Sequence, residues 1–239
     1  EIELAEVPCP LVKSGALLIQ SRASLISPGT ERMLIEFGRG GLIAKAKAQP
    51  EKVRQVLDKV KTDGLVPTME AVFSKLDEPQ WMGMCNVGRV VEVGAGVTEF
   101  AVGDRVVNNG YHAEMVCVPK NLCARLPENV TDEQGAFVVL GSIGLQGIRL
   151  LQPTLGETIV VVGLGMIGLL TVQLLQAHGC TVIGIDPDAT RLAMAKEFGA
   201  LPVDLPSGAD PVAQARAFSN GRGVDGVIIT ASAKTNDIV

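Results

Sequence analysis

The four β-branched residues Ile159-Val160-Val161-Val162 run straight into Gly163-Leu164-Gly165-Met166-Ile167-Gly168, and an apolar helical stretch from Leu169 to Gln176 follows without a break. Glycines at this G-x-G-x-x-G spacing, between a strand and a helix, suit the holding of a dinucleotide's pyrophosphate. Gly163 makes the tight turn, Gly165 lets the phosphates approach the backbone, and Gly168 lets helix and strand pack closely. The free N–H groups at the helix start, around Met166 and Ile167, and the positive end of its dipole supply the electrostatics. The same chemistry asks for an acid about 20 residues further on to hold the ribose. Asp186, after Val182-Ile183-Gly184-Ile185, meets that requirement. It can accept both ribose hydroxyls of NAD. It repels the 2′-phosphate of NADP: one like-charge pair at ~4 Å costs up to ~4 kcal/mol at an effective dielectric of 20. Arg191 is the nearby cation that would moderate this repulsion and belongs to the same expected contact set. NAD is therefore expected over NADP.

The elements that must position this turn follow from periodicity. After Pro153 the chain reads β-α-β-α-β-α-β, with strands at Thr158–Val162, Thr181–Ile185, near Pro202–Leu205 and at Val224–Thr230. Helices are expected at Met166–His178, Ala189–Phe198 and Asp210–Ser219. Parallel strands joined by helical crossovers make a doubly wound α/β sheet. His178-Gly179 reads as a helix stop, so His178 is expected as a cap rather than a ligand. The first third reads as β, with strands at Glu1–Glu6 and Ala16–Gln20, and Ser27-Pro28-Gly29-Thr30 as a turn. Val53, Val56, Leu57 and Val60 form a helical stripe after Pro50, with Lys52, Arg54, Lys59 and Lys61 off it on a solvated face. A second short helix is expected from Thr68 to Leu76. Strands return at Gly88–Gly94, within Val102–Val107 as a turn and strand, and at Met115–Val118 and Asn121–Leu126. Thr131 then caps a helical stretch through Leu151, with Asp132 and Glu133 in its first turn.

Composition narrows the function classes. The 239 residues are 47% hydrophobic and 20% charged, which suits a packed α/β protein. A net charge of −5 argues against nucleic acid or an acidic membrane as a general partner. No apolar run reaches the ~18 residues of a membrane span, and no signal peptide is read at the start; a cytoplasmic setting is expected. Cys9, Cys85, Cys117, Cys123 and Cys180 form no C-x-x-C pair, so they are expected as incidental thiols without zinc spacing or a disulfide framework.

A β-rich region followed by a Rossmann unit resembles the medium-chain dehydrogenase/reductase superfamily. Gly88-Arg89-Val90-Val91-Glu92-Val93-Gly94-Ala95-Gly96-Val97, then Val102-Gly103-Asp104-Arg105-Val106, is similar to that superfamily's GroES-like signature. Ser24-Leu25-Ile26-Ser27-Pro28-Gly29-Thr30-Glu31-Arg32 resembles the branch containing bacteriochlorophyllide dehydrogenases. The helical insertion, with Lys45-Ala46-Lys47 and Val53 to Val60, resembles the N-terminal module of bacterial bi-domain oxidoreductases, often associated with surface-polysaccharide synthesis. The resemblance implies a GroES-like catalytic domain over 1–130, with the insertion near 40–80, and a Rossmann domain over 131–239. It also implies further sheet strands after Val239, a fused second oxidoreductase module, and a homodimer. The Rossmann part is thus expected to be truncated at its C-terminus.

Where the zinc enzymes of this superfamily carry ligands, this chain has Ser27, Met84 and Leu140, none of them a usual zinc ligand. Cys85 stands at the neighbouring position. The four-cysteine lobe for structural zinc is missing as well. The expectation is an enzyme without metal, in which side chains manage the proton that accompanies hydride transfer. The resemblance points to Thr30, Glu31 and Arg32 on one loop and to Tyr111 and His112 on a turn; Thr30, Glu31, Tyr111 and His112 are the catalytic candidates. The alternative for each is ordinary: Glu31–Arg32 as a surface ion pair, Tyr111 and His112 as a turn over the core. Gly141-Ser142 and Ala231-Ser232 fall where the superfamily's chain passes the cofactor, so Ser142 and Ala231 join the cofactor set. Three functions stay open. One is an NAD-dependent oxidoreductase of a hydroxyl or keto group, with a sugar or nucleotide sugar among the candidate substrates. The second is a quinone or enoyl reductase. The third is a non-catalytic dinucleotide-binding module of a larger fused protein.

Overall fold

A computed structural model describes residues 2–40, 50–64, 79–205, 208 and 210–231. The chain forms two compact units, Glu1–Ala136 and Phe137–Val239.

The first unit is built on five strands: β1 (Ala16–Ser24), β2 (Asn86–Val93), β3 (Arg105–Asn108), β4 (Met115–Pro119) and β5 (Cys123–Arg125). They pair antiparallel in the order β4-β1-β2-β3-β5. Leu17, Ile19, Val90, Val106, Val116 and Val118 are buried together, at alternate positions along their strands, as one-sided sheet packing requires. Val87, Val107, Leu126 and Ala136 form a second cluster. The β1–β2 register breaks between Leu18 and Ile19 and again between Ser21 and Ala23. Helices α1 (Pro28–Arg39) and α2 (Pro50–Asp63) belong to this unit.

Several local readings need correction. Ile2–Glu6 is not a strand; Leu4 is fully exposed, so nothing covers its apolar side chains. Ser27-Pro28-Gly29-Thr30 is not a free turn but the start of α1. Pro28 sits in the first turn, where a missing N–H costs nothing, and the Glu31 carboxylate accepts the Ser27 N–H at 2.9 Å. Residues 121–126 form no continuous strand, because Lys120–Leu122 is a 3-10 turn ahead of β5. The stretch from Thr131 to Leu151 breaks into two helices, α3 (Asp132–Gly135) and α4 (Val138–Leu151). The helix expected at 68–76 lies outside the described residues.

The second unit has strands β6 (Thr158–Val162), β7 (Thr181–Asp186), β8 (Leu201–Asp204) and β9 (Gly226–Ile229), all parallel, ordered β8-β7-β6-β9. Three helices connect them: α5 (Met166–Ala177), α6 (Ala189–Glu197) and α7 (Pro211–Phe218). The sheet is covered on both faces. Ile159, Val161 and Val182 pack with Val172, Leu175, Leu192 and Ala195 of α5 and α6. Val160, Ile183 and Val203 face the other way, against Ala215 and Phe218 of α7. Period-two alternation along continuous apolar strands thus feeds two cores, which is why these strands carry no polar face. His178 closes α5 with Gly179 at φ +84°, and its ring bonds the Pro153 carbonyl at 3.0 Å. Among the described residues no helix is long and apolar enough to cross a membrane.

Thr131 accepts the Gln134 N–H while the Gln134 side chain accepts the Thr131 N–H, a reciprocal cap. Thr131→Ala is expected to destabilise the chain by about 1 kcal/mol. The check is urea unfolding, where the midpoint should fall with no change in slope.

Candidate functional site

In the second unit the glycine turn has the geometry its spacing demands. Gly163 adopts φ +90°, and a Cβ there would come within 2.6 Å of the Ala231 amide nitrogen. At Gly168 a Cβ would collide with the Gly163 carbonyl, so the helix meets the strand backbone to backbone. At Gly165 a Cβ would meet nothing within 4 Å, which leaves the space into which a phosphate can advance. Gly165 is also the N-cap of α5, and no side chain caps it. By contrast Asp188 caps α6 and Asp210 caps α7. The first N–H groups of α5, at Met166 and Ile167, therefore point from a helix end that needs an acceptor, and an anion is the natural one.

Asp186 is more deeply engaged than a ribose acceptor needs to be. It is 3% exposed. Its Oδ2 accepts the Leu164 N–H at 2.7 Å, inside the glycine turn itself, and its Oδ1 accepts the Asp188 N–H at 2.8 Å. Of the about four lone-pair positions a carboxylate offers, two are taken by these backbone N–H groups and a third faces Arg191. Arg191 Nη1 lies 3.5 Å from Oδ2, with its side chain half exposed. Asp186 thus braces the glycine turn. Ser142 is exposed on α4, its hydroxyl turned back onto the Val139 carbonyl at 2.6 Å. Ala231 donates its N–H to Val162 beside Gly163. Ser232 lies outside the described residues.

In the β-rich unit, Glu31 and His112 come together although 81 residues separate them. His112 Nε2 is 3.1 Å from Glu31 Oε1, and His112 Nδ1 is 2.9 Å from the Ser24 hydroxyl. Glu31 is buried, on the first turn of α1, not on a loop. The alternative of an ion pair with Arg32 is not realised: Arg32 pairs with Glu36 at 2.8 Å, because residues four apart share a helix face. The His112 N–H donates to the Met82 carbonyl at 2.7 Å. Gly83, at φ +97°, lies under the ring, and a Cβ there would be 2.8 Å from the imidazole.

The other two candidates are placed differently. Thr30 accepts from the Ser27 hydroxyl at 3.3 Å. Tyr111 stacks on Trp81 with ring centroids 4.9 Å apart. Ser24, Gly83, Asn86 and Asn108 are the residues that the pattern reading passed over. Asn86 and Asn108 are buried; Asn108 bonds Asn86 at 3.2 Å and takes the Gly110 N–H at 2.8 Å, and Asn86 bonds Ser21 at 2.7 Å. They fasten the turn that carries Tyr111 and His112. Asparagines within otherwise apolar strand runs were the available signal, since such groups are buried only when satisfied.

The cysteines carry no comparable chemistry. Burial, with Cys117 nearby, pushes the Cys123 thiol up to about 11, and burial raises Cys180 as well. Among the described residues no disulfide joins them and no three His, Cys, Asp or Glu side chains converge on one point.

Comparison with known proteins agrees with this arrangement. The family model for the alcohol dehydrogenase GroES-like domain matches residues 54–144, and that for zinc-binding dehydrogenase matches residues 167–237. The chain is 34% identical to (R,R)-butanediol dehydrogenase of Bacillus subtilis, over 62% of this chain and 50% of that one. It is 31% identical to D-guloside 3-dehydrogenase of Escherichia coli, over 62% of this chain and 44% of that one. It therefore spans about half the length of these curated relatives. Among solved structures, alcohol dehydrogenase TADH from Thermus sp. ATN1 superposes with a TM-score of 0.74 at 21% identity, covering 96% of this chain and 67% of that one. A mycobacterial quinone oxidoreductase superposes with a TM-score of 0.66 at 26% identity, covering 98% and 64%. The chain belongs to the medium-chain dehydrogenase/reductase superfamily, whose members bind NAD(P).

Two substitutions test the cofactor geometry. Gly168→Ala forces α5 away from the Gly163 carbonyl, and NADH affinity is expected to drop at least tenfold, by fluorescence titration. Asp186→Ala removes a ribose acceptor and also the brace on Leu164. It is expected to weaken NADH and NADPH together; a clean gain of NADPH binding would show that the brace is dispensable.

Proposed function

We propose that this chain serves an NAD(H)-dependent oxidoreductase that moves a hydride to or from a hydroxyl or keto carbon and works without zinc. The observation that carries the reading is the open, uncapped glycine turn beside the buried Asp186 carboxylate. A pyrophosphate suits the first and a ribose diol the second, whereas a 2′-phosphate beside Asp186 meets like charge. NAD is thus favoured over NADP. The bound dinucleotide would supply the hydride; the protein's share is to bind it, orient it and handle the proton.

The residues at the superfamily's metal positions do not fit zinc. Ser27 spends its N–H on Glu31 and its hydroxyl on Thr30. Met84 and Leu140 offer no zinc-ligating group. No step is therefore assigned to a metal. The substrate class that the relatives' names support is an alcohol with neighbouring hydroxyls, such as a diol or sugar derivative. A second reading, a quinone or enoyl reductase, draws on the likeness to the mycobacterial quinone oxidoreductase. Homodimerisation, with neither nucleic acid nor membrane as partner, belongs to the same proposal.

Titration with both cofactors tests the reading: NADH should bind more tightly than NADPH, and equal or tighter NADPH binding would overturn the Asp186 argument. Elemental analysis should find well under one zinc per chain. A panel of diols, sugars, quinones and enones then separates the two reductase readings. Tight NADH binding with no turnover on the whole panel would favour a non-catalytic module.

A further inference from the structure

We infer that the Thr230 hydroxyl positions the glycine turn for a dinucleotide's pyrophosphate. It is one jaw of a clamp on the Gly163–Leu164 peptide, and Asp186 is the other. The inference rests on the dinucleotide-binding reading above and lies wholly within the parallel-sheet unit. In that sheet β6 runs between β7 and β9, so the turn that leaves β6 can be reached from both sides. Asp186, the last residue of β7, accepts the Leu164 N–H at 2.7 Å. Thr230, the residue after β9, donates its hydroxyl to the Gly163 carbonyl at 2.5 Å. That carbonyl and that N–H belong to one planar peptide unit, so a single plane is gripped at both polar ends. The same hydroxyl lies 3.2 Å from the Val162 carbonyl. Val162 already takes the N–H groups of Thr230 at 2.8 Å and Ala231 at 3.1 Å. A hydroxyl carries one hydrogen, and the shorter contact, to Gly163, is the one it serves.

The clamp matters because of what stands at its centre. Gly163 sits at φ +90°, and a glycine restrains the adjoining peptide less than any other residue. The orientation of the plane must therefore come from its partners. Gly163 is also buried, and a buried carbonyl left without a donor is costly. Thr230 reaches one element further. A Cβ on Gly168 would lie 2.8 Å from the Thr230 Oγ1, so the hydroxyl packs against the first turn of α5 as well as against the turn. With the Gly163 carbonyl and the Leu164 N–H both spent, the open gap at Gly165 and the uncapped start of α5 remain for an anion. Donors fixed in advance cost no ordering when the ligand arrives. Thr230 acts through the turn and is a positioning residue, and its effect belongs to the phosphates rather than to the base.

The test uses the full chain, with NADH followed by fluorescence titration and adenosine, which has no phosphate, by displacement of NADH. Thr230→Ala removes the hydroxyl and should weaken NADH about fivefold, with adenosine affinity unchanged. Thr230→Ser keeps the hydroxyl and should bind NADH like the wild type. Proton NMR of the wild type gives a reading that needs no variant to fold: the Thr230 hydroxyl proton should exchange slowly with water and lie close to the Gly168 α-protons. Wild-type NADH affinity in Thr230→Ala, equal weakening in Thr230→Ala and Thr230→Ser, equal weakening of NADH and adenosine, or a fast-exchanging hydroxyl each overturns the clamp and leaves the cofactor reading intact. A wild-type chain that binds neither NADH nor NADPH rejects the cofactor reading, and the clamp falls with it.

Discussion

The parallel-sheet unit depends on one close contact, the seating of Gly168 against the Gly163 carbonyl. Any side chain at Gly168 would lift α5 off the end of β6. Because α5 sits so close, its uncapped N-terminus lies beside Gly165, where space remains open, and beside the turn that Asp186 braces from β7. Thr230 tightens the same corner, its hydroxyl bonding the carbonyls of Val162 and Gly163. In the proposed reading, phosphate recognition would be a property of backbone packing, with a single carboxylate tying the turn to the neighbouring strand.

The β-rich unit obeys an analogous constraint at Gly83. The imidazole of His112 lies where a Cβ of residue 83 would be, so only glycine admits it. The buried asparagines Asn86 and Asn108 hold the turn from below, and α1 brings Glu31 to the far side of the ring. A buried carboxylate is costly unless it is paired and hydrogen-bonded. Glu31 is held by hydrogen bonds to the Ser27 N–H and to His112 Nε2. This explains why α1 begins where it does: the same carboxylate that faces His112 also closes the first turn of the helix.

Long elements with strong periodicity were legible in the sequence. The four parallel strands and the helices between them lie within a few residues of their expected positions, because continuous β-branched runs and helical stripes are local signals. Short and ambiguous segments were not. Ser27-Pro28-Gly29-Thr30 carries the composition of a turn, yet Pro28 in a first turn serves a helix equally well, and Glu31 decided between them. Phe137 divides what reads as one helix from Thr131 to Leu151 into α3 and α4. The residues of Ile2–Glu6 alternate like a strand but pair with no strand among the described residues.

By itself the sequence determined the doubly wound unit, its glycine turn and the acid at the end of β7, since spacing along one strand-turn-helix segment places those groups whatever surrounds them. It also put Glu31 and His112 among the candidates. Only the tertiary structure decided that they meet, that Ser24 bonds the other ring nitrogen and that Arg32 turns away to Glu36. It also showed Asp186 spending two of its lone pairs on backbone N–H groups. The physical reason is the same in each case. The contacts of Glu31, His112, Ser24 and Leu164 join residues that are more than 20 positions apart in sequence, and no local pattern encodes which side chain a buried carboxylate finds.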